Sequence, residues 1–503
     1  MLSVAGVRLT KLLATTLLLT GLAPLAPASA SSTSCAAVAV TAPAGARIES
    51  VDAVRHAADG DVPAYCQLTI TVTHGSDHAK TVVGLPETGW SGRLQGIGGS
   101  AYAAGDTGAP FVQAVKDGYA AVTTDAGVLT GLDTSWAVRD GQLDKTLLTN
   151  FATRSVHESS LIAKEVVRKH YQRSVSYSYW NGCSTGGRQG YAEAQNFPDD
   201  YDGVLANAPA VNWTQFAVAT LWPQIVQNQD GHIIGNCVLN AFRAAAVEAC
   251  DAADGVRNQI VDRPDRCSYD PRRLVGKVVV CDGEEVTVTS LDADVMRKIW
   301  NGPTDERGRS LWSGLPKGAD PVWLAGMIPG FPGGPGFPVA SAWVASFLLK
   351  QPGFDTSKLT YQQYRDLFRQ SVREFDSVIG TSNPDLSGFR RSGGKLITFV
   401  GTNDQLIPPG GTLKYRADVE RRMGHVNDFY RLFLAPGVDH CFGGNGAAPV
   451  DPLGALVDWV EHGKAPAVLA GASADGTRDL CPLPQVSRYR GGDPRSSSSY
   501  RCA

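Results

Sequence analysis

Short apolar runs alternate with amphipathic stretches from residue 35 to about residue 210. Gln67–Thr73 (QLTITVT) and Tyr119–Thr124 (YAAVTT) read as strands. Glu158–His170 (ESSLIAKEVVRKH) sets apolar residues at helical spacing and its charges on the other face. Val175–Trp180 reads as a strand that runs straight into Gly182, and Arg188–Ala194 follows as a helical stretch. Strand–helix alternation of this kind predicts a mostly parallel sheet with helices on both faces.

The pattern changes after about Val211. Up to roughly Asp385 the chain is helical, acidic in its loops and rich in Pro and Gly; Pro329–Pro338 (PGFPGGPGFP) excludes any regular element. The strand signal returns at Lys395–Val400 (KLITFV) and Tyr430–Leu434 (YRLFL). One α/β domain interrupted by a long insertion accounts for this better than two tandem domains, because the chemistry below draws on both flanks. The expected division is 1–30 as signal peptide, 31–211 and 385–503 as the two parts of the α/β domain, and 212–384 as the insertion.

Composition narrows the class. With 503 residues, 43% of them hydrophobic, the chain can bury a large core and is expected to make more than one compact unit. A formal charge of −3 leaves no basic surplus to attract nucleic acid or an anionic membrane. Arg8 and Lys11 precede an apolar run from Leu12 to Leu25, and Ala28-Ser29-Ala30 suits signal peptidase. Read as an anchor the run is too short, so a secreted mature protein beginning after Ala30 is expected. Ten cysteines in an exported chain imply disulfides.

Gly182-Cys183-Ser184-Thr185-Gly186 matches G-x-S-x-G between a predicted strand and a predicted helix. Such a turn lifts a serine hydroxyl out of the sheet top, with the Thr185 N–H at the helix start as an oxyanion donor. A serine needs a base held by a third group. His440 lies in a Gly-bounded loop directly after the Tyr430–Leu434 strand, where active edges of such sheets form. His425 is its rival, placed before that strand. Asp404 follows the Lys395–Val400 strand in the same manner; Asp439 is the lesser candidate, since side chains adjacent in sequence diverge. The order Ser184, Asp404, His440 is that of α/β-hydrolases. Cys183 precedes the serine and Cys441 follows the histidine. If the two catalytic groups meet, these cysteines lie within the roughly 5.5–6 Å Cα separation of a disulfide.

The hard oxygen donors of Cys250–Cys267, with Gly255 for the bend, suit Ca²⁺ without EF-hand spacing; the alternative is a solvated acidic loop closed by Cys250 and Cys267.

Taken together, Cys183-Ser184, Asp404 and His440-Cys441 resemble the "CS-D-HC" arrangement of the tannase/feruloyl esterase family. Asn383–Phe389 (NPDLSGF), Lys395–Gly411 and Cys481–Arg490 (CPLPQVSRYR) extend the resemblance over nearly the whole mature chain. It implies an α/β-hydrolase fold with a large lid between the serine and aspartate segments, and aromatic esters (galloyl, feruloyl, terephthaloyl) as substrates. By the same resemblance Gly96–Gly105 is an oxyanion loop, with Gly98 or Gly99 the donor beside Thr185. The calcium ligands would be Asp251, Asp254, Asn258 and the carbonyls of Val256 and Ile260, with Asn258 where relatives carry aspartate. Cys35–Cys66 and Cys481–Cys502 are the implied pairs; Cys237 and Cys281 remain by elimination. Trp300, Trp312, Trp323, Phe331, Phe337, Trp343 and Phe347 could wall an aromatic ring, or form the core of the lid. A hydrolase of other esters or amides, or a non-catalytic binding protein, are the other classes weighed. No nucleic-acid or membrane partner is expected.

Overall fold

The computed structural model describes residues 35–128, 131–328 and 336–503. The signal-peptide expectation therefore lies outside the described residues, as do Phe331 and most of Pro329–Pro338. Among the described residues, nine strands make the central sheet: β1 (Arg47–His56), β2 (Tyr65–Thr73), β3 (Ala79–Pro86), β4 (Arg93–Ile97), β5 (Ala120–Thr124), β6 (Tyr177–Cys183), β7 (Gly203–Asn207), β8 (Lys395–Gly401) and β9 (Tyr430–Ala435). Their spatial order is β1-β2-β3-β5-β4-β6-β7-β8-β9. The β1-β2-β3-β5 neighbours are antiparallel, and every pairing from β5 to β9 is parallel.

Successive residues of each strand face opposite sides, and both sides are covered. Tyr179, Leu205, Ile397 and Phe433 pack with Phe111 of α1 (Ala109–Lys116) on one side. On the other, Ile162 and Val166 of α2 (Ser155–Tyr171) meet Leu68 and Val122. Trp180, Val204, Leu396 and Leu432 lie on that side too, against Tyr191 of α3 (Thr185–Asn196) and Tyr415 of α4 (Gly410–Met423). Leu456 and Trp459 of α5 (Pro452–His462) close the first side. Every strand read from the sequence is present. β1 was hidden because it is an edge strand with most positions exposed; β4 and β7, of five residues each, were not read either.

The insertion leaves the sheet after β7 and returns at β8, yet β7 and β8 are hydrogen-bonded neighbours. It contains helices Asn236–Cys250, Ser290–Asn301 and Tyr361–Ile379. The last is capped by Thr360, whose hydroxyl accepts from the Gln363 N–H while the Gln363 side chain returns to the Thr360 N–H. It also holds an unexpected hairpin, Val278–Cys281 with Glu284–Thr287. Its signal was present: Asp282-Gly283 takes φ values of 53° and 89°, the doubly left-handed turn that Asp-Gly favours between β-rich runs.

The residues from Cys35 to Ala503, insertion included, form one compact unit. The physical reason is a shared aromatic core. Tyr102, from the loop after β4, stacks on Phe347 of the insertion with ring centroids 5.7 Å apart, and Phe347 stacks on Trp343 at 4.6 Å. The Tyr102 hydroxyl donates to the Val339 carbonyl at 2.8 Å. Separating the insertion would expose rings from both parts to water. No helix among the described residues is long and apolar enough to cross a membrane.

Candidate active site

β6 delivers Ser184 at a turn into α3. The serine has φ 62° and ψ −122°, a left-handed backbone that surrounding contacts must hold. Its N–H donates to the Asn207 carbonyl at 3.1 Å and its carbonyl accepts from Ala210 at 3.1 Å, so the end of β7 clamps both sides of the turn. Glycine is required where the turn meets the loop after β4. A Cβ on Gly98 would lie 2.5 Å from the Gly186 Cα, and one on Gly182 would lie 2.5 Å from the Gly186 carbonyl carbon.

Asp404, fully buried after β8, spends Oδ1 on the N–H groups of Leu406 (3.0 Å) and Ile407 (2.7 Å). Its Oδ2 lies 2.8 Å from His440 Nδ1. The His440 N–H donates to Gln405 Oε1 at 3.0 Å, fixing the backbone as well as the ring. With Nδ1 occupied, Nε2 is the ring nitrogen left for a substrate-side proton. Ser184, Thr185, His440 and Cys441 line one cavity of about 280 Å³. A larger crevice of about 590 Å³ between Trp300, Lys317 and α4 is lined by none of them. The rival residues stand apart. His425 is exposed and outside the cavity; Asp439 Oδ1 is buried without a partner among the described residues, and burial raises its carboxyl above the ordinary range.

All ten cysteines pair: 35–66, 183–441, 237–281, 250–267 and 481–502. The Cys183–Cys441 pair has a Cα separation of 5.9 Å. Cys441 has φ 65°, so this bridge joins two residues that adjoin or occupy left-handed backbone.

The oxyanion glycines need correction. The Gly98 N–H donates to the Asn181 carbonyl at 3.1 Å, and the Gly99 N–H to Gln189 Oε1 at 3.0 Å. Neither is free; the missing side chain of Gly98 instead serves close packing against Gly186 of α3, and that of Gly99 lets the loop fold back on Ala103 and Ala104. Ser100 and Ala101, next along the loop, line the cavity, and no acceptor among the described residues takes either N–H. The Thr185 hydroxyl ties to the Ala101 carbonyl at 2.6 Å.

The cavity wall is apolar. Trp213, Phe216, Trp323, Phe337, Val339 and Ile407 form most of it, and its polar side chains among the described residues are Ser100, Ser184, Thr185 and His440. Of the insertion aromatics singled out above, Trp323 and Phe337 reach this wall, while Trp300, Trp312, Trp343 and Phe347 are buried core. Trp213 and Ile407 carry no sequence signal as wall residues; they are apolar positions like any other until the chain folds.

In the loop between Cys250 and Cys267, Asp251 Oδ1 accepts from the N–H groups of Asn258 (3.0 Å) and Ile260 (3.3 Å), leaving Oδ2. Asp254 Oδ2 is buried with no partner among the described residues, and burial together with the Asp262 charge raises Asp254 to about 6. Asp262 itself is engaged by Arg478, whose NH1 lies 2.9 Å from its Oδ1. Among the described residues no donor reaches the carbonyls of Val256 or Ile260. An orphaned carboxylate oxygen with spare carbonyls around it suits a hard cation.

A family model described as tannase and feruloyl esterase matches residues 66–503. The chain is 44% identical to a protein of Arthroderma benhamiae named "Probable feruloyl esterase", covering 87% of this chain and 85% of that one. It is 29% identical to "Feruloyl esterase B" of Aspergillus niger over 87% and 86%. Among solved structures, tannin acyl hydrolase from Aspergillus niger matches with a TM-score of 0.82 at 26% identity, over 92% and 93% of the two chains. Feruloyl esterase B from Aspergillus oryzae shares the fold, with a TM-score of 0.78 at 24% identity over 92% and 98%. The largely parallel sheet covered on both faces is thus an α/β-hydrolase fold.

The bridge beside the site makes a measurable claim. Replacing Cys183 and Cys441 together by Ala should lower stability toward denaturant by about 5 kcal/mol, the chain-entropy value for a separation of 258 residues. Esterase activity should fall at least tenfold even where the variant remains folded by circular dichroism. Unchanged kcat in that folded variant would show that the bridge does not hold the site.

Proposed function

This chain belongs to the tannase and feruloyl esterase family and is a carboxylic ester hydrolase, and from that premise we propose that it cleaves aromatic-acid esters through Ser184, His440 and Asp404. The observation that carries the reading is the 2.8 Å His440–Asp404 contact, with Ser184 and His440 on the wall of the same cavity. Ser184 Oγ attacks the ester carbonyl carbon as its proton passes to His440 Nε2, and Asp404 stabilises the imidazolium through Nδ1–H. The tetrahedral oxyanion is held by the Thr185 N–H and by that of Ser100 or Ala101. Collapse expels the alcohol, which takes the proton from Nε2; water then attacks the acyl-serine by the same proton path and releases the acid.

The apolar wall favours an acid portion with few ring hydroxyls. A buried hydroxyl without a partner costs roughly 1–3 kcal/mol, and a galloyl ring brings three hydroxyls where a feruloyl ring brings one and a methoxy group. Methyl ferulate should therefore exceed methyl gallate in kcat/KM by at least about tenfold, with Ser184→Ala inactive on both yet folded. Equal or greater turnover of the gallate would count against this preference, and an active Ser184→Ala against the nucleophile.

We further propose that Asp251, Asp254, Asn258 and the Val256 and Ile260 carbonyls hold Ca²⁺, which would fix the conformation of this loop within the insertion and supply no catalytic chemistry. A chelator should lower Tm by several degrees and added Ca²⁺ restore it, while Asp254→Asn should be insensitive to both. A wild-type Tm that ignores chelation would remove the ion from this loop.

Export completes the proposal, supported by five disulfides, which persist in oxidising compartments. N-terminal sequencing of the protein recovered from culture medium should begin at Ser31; recovery only from the cytosol, with residue 1 intact, would overturn it.

A further inference from the structure

At the end of α3 remote from Ser184, three side chains converge that neither the ester chemistry nor the calcium loop uses. His157 comes from α2, Glu193 from α3 and Asp200 from the turn before β7. One donor atom of each lies within 4.8 Å of the others. Glu193 is 1% exposed, and among the described residues neither of its carboxylate oxygens has a hydrogen-bond donor. Asp200 is buried as well, with Oδ2 2.6 Å from His157 Nδ1. The His157 ring stacks on Phe197 with centroids 3.9 Å apart, which sets its plane. Its outer edge remains open, with 28% of the side chain exposed.

Two buried carboxylates facing one another need a positive species between them. The neighbouring cations do not supply it. Lys164 Nζ is drawn to the backbone carbonyls of Asp199 and Asp200, and the buried Arg188 guanidinium donates to the carbonyls of Phe151 and Ala152. A shared proton would satisfy two carboxylates without using the imidazole, whereas here a stacked ring turns its nitrogen to the same point. An imidazole with two carboxylates is a donor set for borderline divalent ions such as Zn²⁺ or Co²⁺ rather than for Ca²⁺, which takes six to eight oxygens.

We propose that His157, Glu193 and Asp200 form a binding site for a divalent transition-metal ion, distinct from the calcium loop and structural in role. The ion ties α2, α3 and the turn before β7 together, and so braces the helix that begins directly after Ser184. It reaches the site past the exposed edge of His157.

The test uses the full mature chain, stripped by a chelator and carrying Asp254→Asn to silence the calcium loop. Titration with ZnCl₂ should show one equivalent bound calorimetrically and a rise in Tm, and CoCl₂ should develop visible d–d absorbance. Glu193→Gln and, separately, His157→Phe, which keeps an aromatic ring against Phe197, should each weaken Zn²⁺ binding by more than the roughly 10–100-fold that an outer-shell partner costs. Absence of binding to the parent protein, or affinity unchanged in both variants, would overturn the site. So would an infrared band of a protonated carboxylic acid that persists at neutral pH with saturating Zn²⁺ and vanishes in Glu193→Gln, since the occupant would then be a proton.

Discussion

Ser184 and Cys441 both hold backbone in the left-handed region, at φ 62° and 65°, where a non-glycine residue stores about 1–3 kcal/mol. Such conformations persist only where the surroundings over-determine them, and the Cys183–Cys441 bridge is the bond through which the two strained turns brace each other. Around it the fold repeats the same logic without covalent bonds. Gly98 and Gly186 meet backbone to backbone, the β7 end grips Ser184 from both sides, and Asp404 is fixed by two N–H groups before it meets the imidazole. Three loop tips after three parallel strands thereby become one surface.

The insertion takes part in that surface and is not a separate cover. Its Trp213, Phe216 and Phe337 line the cavity, while Trp343 and Phe347 continue inward into the rings of Tyr102 and Phe151. Arg188 marks the join. It is fully buried in α3, its guanidinium lies over Phe151 and Trp213 at 5.6 and 5.8 Å, and burial lowers it to about 9. A charge so placed is tolerable because carbonyls and ring faces take the place of water. Cavity wall, hydrolase sheet and insertion core are consequently one packing problem.

Strong local patterns were legible. The β6–Ser184–α3 turn, β8 before Asp404 and β9 before His440 each announce themselves in a few residues, since strand periodicity, a small-residue turn and helix spacing are local properties. The Asp282-Gly283 hairpin was legible on the same terms. β1 was not, because an exposed edge strand has no apolar rhythm. Gly98 and Gly99 show the limit most clearly: the glycines of that loop could be read as necessary, but whether they free an N–H or make room for close packing depends on Gln189 and Asn181, far away in sequence.

By itself, then, the order of residues determined the strands that lead to the site, the candidate nucleophile, base and orienter, and the cysteines beside them, because each rests on chemistry within a short window. Only tertiary structure decided which backbone N–H groups stay unpaired, which aromatics face the cavity, and that His157, Glu193 and Asp200 share one point. Those are matters of who the neighbour is across the fold, and packing between distant segments leaves no periodicity in the chain to read.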